Sequence, residues 1–195
     1  MMGSLWLHED RMNSIDIHHL SDQELVALHV GDRKSSALAT LVRRHTGLVY
    51  RFAYSIVGNA HDADDVAQET FVKVWKHLDM FDQEKSFKTW LLRITKNTAI
   101  DCIRSRKNAS LPLADTDGVL HTDFYIDEPS FSVFQKQELS RAINELPPLY
   151  QALMYIRQHE DITLEEIADI FGEPLNTIKS RYTRALALLR HSLIR

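Results

Sequence analysis

Cysteine, glycine and long apolar runs are all scarce in this 195-residue sequence, and each scarcity narrows what the chain can be. The single cysteine, Cys102, excludes an internal disulfide, and its place in a helical apolar pattern favours a core role. No apolar segment approaches the roughly 18 residues of a membrane span, and no secretory signal is recognisable. With 44% hydrophobic residues, the chain can bury one large or two small cores. We expect a soluble, cytoplasmic protein.

Basic charge is not in excess either, because the formal net charge is −4. Nucleic-acid binding would therefore depend on local basic patches. Patterns typical of catalysis are missing: there is no Ser/His/Asp or Cys/His set, no Gly-rich phosphate loop and no HExxH motif. His8, His18 and His19 form no ligand pattern with carboxylates or cysteines. The sequence thus predicts no enzyme, no cofactor and no metal site.

The central stretch, residues 62–107, predicts two amphipathic helices joined by a short loop, and its charge changes sign across that loop. Residues 61–84 carry seven acidic and two basic side chains, whereas residues 85–107 carry seven basic side chains and one acidic. In the first helix Asp62 is the predicted N-cap. The predicted buried stripe is Ala67, Phe71, Val74, Trp75 and Leu78. The outer face keeps Asp65, Gln68, Glu69 and Lys76. A binding role and simple solvation are both open for that face.

The second of these helices is predicted to begin after Ser86 as N-cap. Its buried stripe is Phe87, Leu91, Ile94, Thr98 and Cys102. Another face carries Arg93, Lys96, Asn97, Ile100, Arg104 and Lys107. Such a row of cations can neutralise DNA phosphates while the amide reaches a base edge. A charged face that contacts only solvent is the alternative.

The residues before this stretch predict two or three further helices. Residues 1–20 lack a period and are interpreted as an N-terminal extension. Ser21 and Glu24 form a capping box for a short helix that ends near Gly31, and one helix or a helix pair follows as far as Gly58. The predicted core positions there are Ala37, Leu38, Leu41, Val42, Leu48, Val49, Phe52 and Ile56.

Residues 108–130 separate two parts of the chain. Two prolines and a glycine interrupt any pattern, and the segment holds five acidic residues without Lys or Arg. This composition predicts a flexible acidic linker. The fold class is therefore all-α, with two small helical domains at residues 21–107 and 131–195 joined by that linker.

Residues 131–195 predict a helix-turn-helix domain. Prolines at 147–148 separate its first two helices. Thr163 with Glu166 caps a third helix, Gly172 makes the turn, and a last helix follows. This last helix is predicted to bury Leu175, Ile178, Tyr182, Ala185, Leu186 and Leu189. Its opposite face carries Asn176, Thr177, Lys179, Ser180, Arg181 and Arg184. That face suits the DNA major groove, and a helical hairpin with a charged surface is the alternative.

Residues 48–106 resemble region 2 of the extracytoplasmic-function (ECF) sigma factors of bacterial RNA polymerase. The family patterns D-A-x-D-x-x-Q-E-x-F-x-x-x-W, S-F-x-T-W-L-x-x-I and N-x-A-x-D-x-x-R stand at 62–75, 86–94 and 97–104. Three further segments resemble region 4 of the same factors: L-P-P at 146–148, E-E-I-A at 165–168 and T-I-K-S-R at 177–181. Two ordered sets of matches on either side of a linker make the resemblance specific.

The resemblance implies a dissociable specificity subunit that binds core RNA polymerase, recognises a promoter and helps to open it, for a signal- or stress-responsive set of genes. The clamp helices of the largest polymerase subunit would contact Asp65, Gln68, Glu69 and Lys76, and the polymerase flap is a further implied contact. The single-stranded upstream-of-start element would be held by Lys88, Arg93, Lys96, Asn97, Asp101 and Arg104. The minus-thirty-five element would be read by Asn176, Thr177, Lys179, Ser180, Arg181 and Arg184. An anti-sigma factor, often membrane-anchored in this family, is an implied inhibitor that would hold the protein at the inner membrane.

Two positions and two other functions stay open at this level. Glu173 stands where many family members have an apolar residue, and its carboxylate is expected to repel phosphates mildly. Trp90 is either a core residue or a platform for an unpaired base. A stand-alone helix-turn-helix repressor or activator would bind DNA without polymerase, but it leaves residues 21–107 without a role. A protein adaptor would show no salt-dependent DNA affinity.

Overall fold

The structure, a computed structural model, describes residues 17–32, 35–108, 133–159 and 161–194. Within these ranges lie eight α-helices and one 3₁₀ turn but no strand, which confirms the all-α prediction. The helices are α1 (Asp22–Asp32), α2 (Ser35–Val57), α3 (Ala60–His77), α4 (Phe87–Asn108), α5 (Val133–Asn144), α6 (Pro148–His159), α7 (Leu164–Phe171) and α8 (Leu175–Leu193), with the 3₁₀ turn at Leu78–Met80. Most of the predicted extension and nearly all of the predicted linker lie outside the described residues.

Side-chain caps define helix starts where the sequence predicted them. At α1 the Ser21 backbone N–H donates to Glu24 Oε2 at 2.7 Å, and the Glu24 N–H donates to Ser21 Oγ at 3.3 Å. Thr163 and Glu166 form the same reciprocal capping box at α7. Each box satisfies backbone donors that have no partner inside the helix.

Two predicted helix limits were wrong. Asn59 rather than Asp62 is the N-cap of α3, and its side chain accepts from the Asp62 N–H at 2.9 Å. Asparagine caps as well as aspartate does, and here it directly follows Gly58, whose φ of +76° ends α2 as predicted. Gly31 does not end α1, which continues to Asp32. Glycine at that point keeps a helical conformation, at a cost in backbone entropy.

The first bundle consists of α1–α4 and holds a core between amphipathic faces. Its largest fully buried side chains include Leu25, Leu41, Phe87 and Leu91. The ring of Trp90 lies 5.0 Å from that of Phe81 and 5.9 Å from that of Phe87, between centroids, so Trp90 packs as a half-buried core aromatic.

The second bundle consists of α5–α8. Gly172 ends α7 in the left-handed region, with φ of +67°, and makes the predicted turn. From α8 the buried side chains are Ile178, Ala185 and Leu189, as predicted. Leu186 was predicted to be buried but is 43% exposed. It lines the edge of a groove with Leu139 of α5 and Met154 of α6.

The two bundles pack against each other. A single buried cluster contains Phe52 and Leu92 from the first bundle and Leu153, Ile156 and Ile167 from the second. The contacts are made by α2 with α6 and by α4 with α7. At the same junction Arg51 Nε donates to the Tyr155 hydroxyl at 2.9 Å. In the part of the chain that the structure describes, none of the helices is both long and apolar enough to cross a membrane.

Candidate nucleic-acid and partner interfaces

The predicted cationic face of α4 is exposed along most of the part whose side chains the structure describes. Arg93, Asn97, Asp101 and Arg104 are exposed, and Arg104 Nη1 lies 3.7 Å from Asp101 Oδ1. Lys88, in the first turn of α4, is half-buried. The surface therefore combines exposed guanidinium groups with an amide, which suits phosphate and base contacts.

Lys96 differs from its neighbours because the second bundle covers it. Its Nζ donates to the backbone carbonyl of Phe171, the last residue of α7, at 2.9 Å. Burial lowers the pKa of Lys96, the negative charge of Glu173 opposes that shift, and Arg93 and Arg104 add to it. An ammonium at the carbonyl end of a helix is favourably placed.

The outward face of α8 carries the predicted readers of duplex DNA. Asn176, Thr177, Lys179, Ser180 and Arg184 are exposed. Asn176 and Thr177 lie in the first turn of α8, shortly after Gly172. In a helix-turn-helix motif the N-terminal turn of the second helix is the part that approaches base edges.

Arg181, predicted for the same face, is instead folded back onto its own motif. Its side chain is 17% exposed, and Nη2 donates to Glu173 Oε1 at 3.0 Å and lies 2.7 Å from Oε2. The guanidinium carbon lies 5.8 Å from the centre of the Phe171 ring, within the range of a cation–π contact. The sequence predicted an outward-facing Arg181, whereas the structure pairs its side chain with Glu173.

The predicted partner face of α3 is exposed. Asp65 pairs with His61 at 3.2 Å and Glu69 pairs with Lys73 at 2.9 Å, each one turn apart, while Gln68 and Lys76 extend into solvent. Exposed pairs of this kind add little stability. Their carboxylates therefore remain available to a partner.

An apolar groove that sequence reasoning missed lies beside this face, between α2 and α3. Its volume is about 890 Å³, and its lining includes Leu38, Val42, Gln68, Phe71, Val72 and Trp75. Trp75 is 63% exposed, so the prediction that it belongs to the buried stripe was wrong. The sequence signal that could have revealed the groove was the width of the apolar stripe. Val72 lies about 100° from Phe71 around the helix, so the apolar surface of α3 is wider than a single buried stripe.

A second apolar groove lies between α5, α6 and α8. Its volume is about 610 Å³, and its lining includes Leu139, Met154, Leu186, Leu193 and Ile194. Ile194 is 77% exposed. Both bundles thus present an apolar groove to solvent within the described residues.

Among the described residues, one group of side chains has metal-ligand spacing. His61, Asp62 and Asp65 offer ligand atoms within 4.8 Å of one another. Protein groups already satisfy them, because Asp62 pairs with Arg106 and lies 3.2 Å from Asn59 Nδ2, while His61 pairs with Asp65. The arrangement is that of a helix N-terminus rather than of a metal centre.

A two-bundle helical chain with a cationic helix face and a helix-turn-helix motif defines the class of helical DNA-binding transcription factors. Comparison with known proteins narrows that class. The family models of Sigma-70 region 2 and Sigma-70 region 4 match residues 41–109 and 136–189. ECF RNA polymerase sigma factor SigW of Bacillus subtilis is 30% identical over 166 residues, which cover 80% of this chain and 89% of SigW. RNA polymerase sigma factor SigV of the same organism is 34% identical over 156 residues, which cover 80% of this chain and 90% of SigV.

Solved structures show the same arrangement. CnrH in complex with the cytosolic domain of CnrY matches with a TM-score of 0.63 and 25% identity, over 88% of this chain and 96% of CnrH. The sigma factor RpoE of Bartonella quintana, in complex with the anti-sigma factor NepR, matches with a TM-score of 0.62 and 25% identity, over 83% of this chain and 96% of RpoE. The chain belongs to the ECF sigma factors of bacterial RNA polymerase.

Proposed function

We propose that the chain binds core RNA polymerase, directs it to a promoter and helps to open the DNA, acting as an initiation factor without covalent chemistry of its own. The face of α4 with Lys88, Arg93, Lys96, Asn97, Asp101 and Arg104 takes the single-stranded upstream-of-start element. The face of α8 with Asn176, Thr177, Lys179, Ser180, Arg181 and Arg184 takes the minus-thirty-five duplex. A factor with this activity works in the cytoplasm with the polymerase.

The observation that carries the proposal is the presence of two distinct DNA-compatible surfaces on one chain. A row of exposed Arg93, Asn97 and Arg104 suits an extended strand, since cations follow the backbone and the amide reaches a base. The exposed start of α8 suits a major groove. A stand-alone repressor needs the second surface but has no use for the first.

For core polymerase we propose the exposed face of α3 together with the adjoining groove. Asp65, Gln68, Glu69 and Lys76 supply charge and hydrogen bonds, and Gln68 also lines the groove. Trp75 supplies a large apolar contact beside them. A helical partner laid into such a groove gains most from a central aromatic anchor with a polar rim. The clamp helices of the largest subunit are the proposed occupant, and the polymerase flap is the proposed occupant of the groove on the second bundle.

An anti-sigma factor is the proposed inhibitory partner. RpoE is bound to the anti-sigma factor NepR in its solved structure, and CnrH is bound to the cytosolic domain of CnrY. Both grooves of this chain are exposed and apolar, so a partner that covered them would compete directly with polymerase.

Run-off transcription with purified core polymerase tests the proposal. Genomic DNA is transcribed with and without the chain, and the 5′ ends are sequenced. Discrete new starts that share two spaced upstream motifs are expected. If a folded chain and its matched core polymerase produce no new starts, the proposal fails, and DNA binding without polymerase then distinguishes a repressor from an adaptor.

Two variants assign the surfaces in the same assay. Trp75→Ala should weaken core binding at least about tenfold, as expected for an anchor residue, while His77→Ala on the same helix serves as the control. Arg184→Ala should leave core binding unchanged and weaken use of the minus-thirty-five element. Loss of core binding in Arg184→Ala would contradict the division of roles.

A further inference from the structure

The segment from Phe171 to Glu173 contacts a cation from each of the two proposed DNA surfaces. The two carboxylate oxygens of Glu173 lie 3.0 and 2.7 Å from Nη2 of Arg181, a proposed reader of the minus-thirty-five element. Lys96, a proposed contact of the upstream-of-start element, donates to the carbonyl of Phe171 two residues away at 2.9 Å. One short segment at the helix-turn-helix turn therefore engages a cation from each surface.

Electrostatics link Glu173 to Lys96 as well as to Arg181. Burial lowers the pKa of Lys96, and the charge of Glu173 is the influence that acts against this. Arg93 and Arg104, on the same face of α4, repel the ammonium. Glu173 thus partly offsets the cost of covering the Lys96 ammonium.

The internal pairing of Arg181 leaves part of its guanidinium unsatisfied. Nη1 is buried and has no hydrogen-bond partner among the described residues. A buried charged donor without a partner is unfavourable, and guanidinium groups bind phosphate through two parallel hydrogen bonds. An incoming phosphate could therefore offer Arg181 more than the carboxylate does.

We propose that Glu173 is an internal competitor of DNA phosphate, which holds Arg181 and attracts Lys96 within the chain until promoter DNA displaces it. The proposal rests on the proposed function, since it treats Arg181 and Lys96 as DNA contacts. It also accounts for an acidic residue in a turn that approaches DNA, where a carboxylate alone would be a disadvantage.

Glu173→Gln in the full chain tests the proposal, because glutamine keeps the shape and removes the charge. Glu165→Gln is the matched control: it lies on exposed α7 surface and changes the net charge equally. Affinity for a duplex carrying the minus-thirty-five element is measured by fluorescence anisotropy across a salt series with core polymerase present, and the second probe is tested on the chain alone. Inorganic polyphosphate is the second probe, since it requires free cations but no promoter recognition. Urea unfolding verifies that each variant is folded.

Glu173→Gln should bind both probes about three- to tenfold more tightly than the wild type at low salt, with a salt slope steeper by roughly one released ion. Glu165→Gln should change affinity less than about twofold, because no cation is released from an internal pair. In an Arg181→Gln background most of the gain should disappear, because the freed guanidinium is then missing.

The outcomes separate this inference from the proposed function. A gain on polyphosphate that depends on Arg181 supports the competitor role even if transcription assays fail. Equal affinities of Glu173→Gln and Glu165→Gln for both probes would overturn the competitor role even if the chain directs transcription. A gain that persists unchanged in the Arg181→Gln background would also overturn it.

Discussion

Replacing Asp62 with asparagine should loosen the junction of α3 and α4 and change the titration of Cys102. The Asp62 side chain is 10% exposed, and its Oδ2 pairs with Arg106 near the end of α4 and lies 3.2 Å from Asn59 Nδ2. It also occupies the first turn of α3, where negative charge suits the helix dipole. The substitution therefore removes the negative charge from three favourable interactions at once.

The magnitude follows from the exposure of the partners. A hydrogen bond to a charged group contributes about 1.5–3 kcal/mol to the free energy of unfolding, and charge at a helix start contributes about 0.3–1 kcal/mol. Arg106 is half exposed and regains water when its partner is neutralised, and asparagine keeps one acceptor oxygen. We expect a net loss of about 1–2 kcal/mol for Asp62→Asn.

The second readout is chemical and comes from Cys102. Its pKa is raised mainly by burial and secondarily by the charge of Asp62; the charge of Arg106 lowers it, and a hydrogen bond to Asp62 and the charge of Asp65 raise it further. Asp62→Asn removes the second influence, so the thiol should ionise at a lower pH. Because Cys102 is the only cysteine of the sequence, the pH midpoint of alkylation by iodoacetamide reports on this group alone.

Urea unfolding and the alkylation profile together test the reasoning, with Asp65→Asn as the control for stability and as a comparison with a smaller expected fall of the Cys102 midpoint. Asp65 lies on the same helix but is 63% exposed and pairs with an exposed histidine, so its loss should cost less than about 0.5 kcal/mol. If Asp62→Asn is no less stable than Asp65→Asn, or if the Cys102 midpoint stays unchanged or rises, the assigned role of the carboxylate is wrong.

Three further predictions concern stability in urea unfolding. Gly172→Ala should lower the free energy of unfolding by about 1–2 kcal/mol, because φ at this residue is +67°. Gly31→Ala should be neutral or stabilise by up to about 1 kcal/mol, because this residue is helical and there is open space for the added methyl group. Equal effects would refute the backbone argument. Thr163→Ala should cost about 1 kcal/mol through loss of the α7 capping box, and Ser192→Ala, at the other end of the bundle, is the comparison. Burial raises the pKa of Asp22, but hydrogen bonds and charges from His45 and Arg44 outweigh burial, so the pKa is lowered. The stability difference between the wild type and Asp22→Asn should therefore be present at pH 6 and disappear as pH falls below about 4. A difference that grows on acidification would contradict this sign.

Local sequence rules predicted the helices and most of their ends, because these depend on near neighbours. Both capping boxes span three residues, and Gly58 and Gly172 adopt the positive φ that their positions at helix ends require. The N-cap of α3 was missed because Asn59 and Asp62 are both good caps within one turn of each other. Choosing between them needed the position of Arg106, which lies more than 40 residues away.

Periodicity predicted which side of a helix is apolar but not how much of it a neighbour covers. Trp75 and Leu186 were both assigned to buried stripes, and both are exposed and line grooves between helices. Exposed apolar residues next to a buried stripe are what a partner-binding groove requires. The errors of the core prediction therefore coincide with the two surfaces proposed for partners.

The packing of the two bundles had no local sequence signal, and it changes how the DNA surfaces are understood. Sequence reasoning treated Lys96 and Arg181 as free members of two cationic faces. Contacts across the junction and across the turn engage both, and Glu173 is common to the two. An acidic residue is not expected beside DNA phosphates, and Glu173 is explained by its pairing with Arg181 and its charge interaction with Lys96. A cation that can bind DNA phosphate can also pair with a carboxylate of the chain. How available the proposed DNA faces are therefore depends on how strongly their cations pair within the chain.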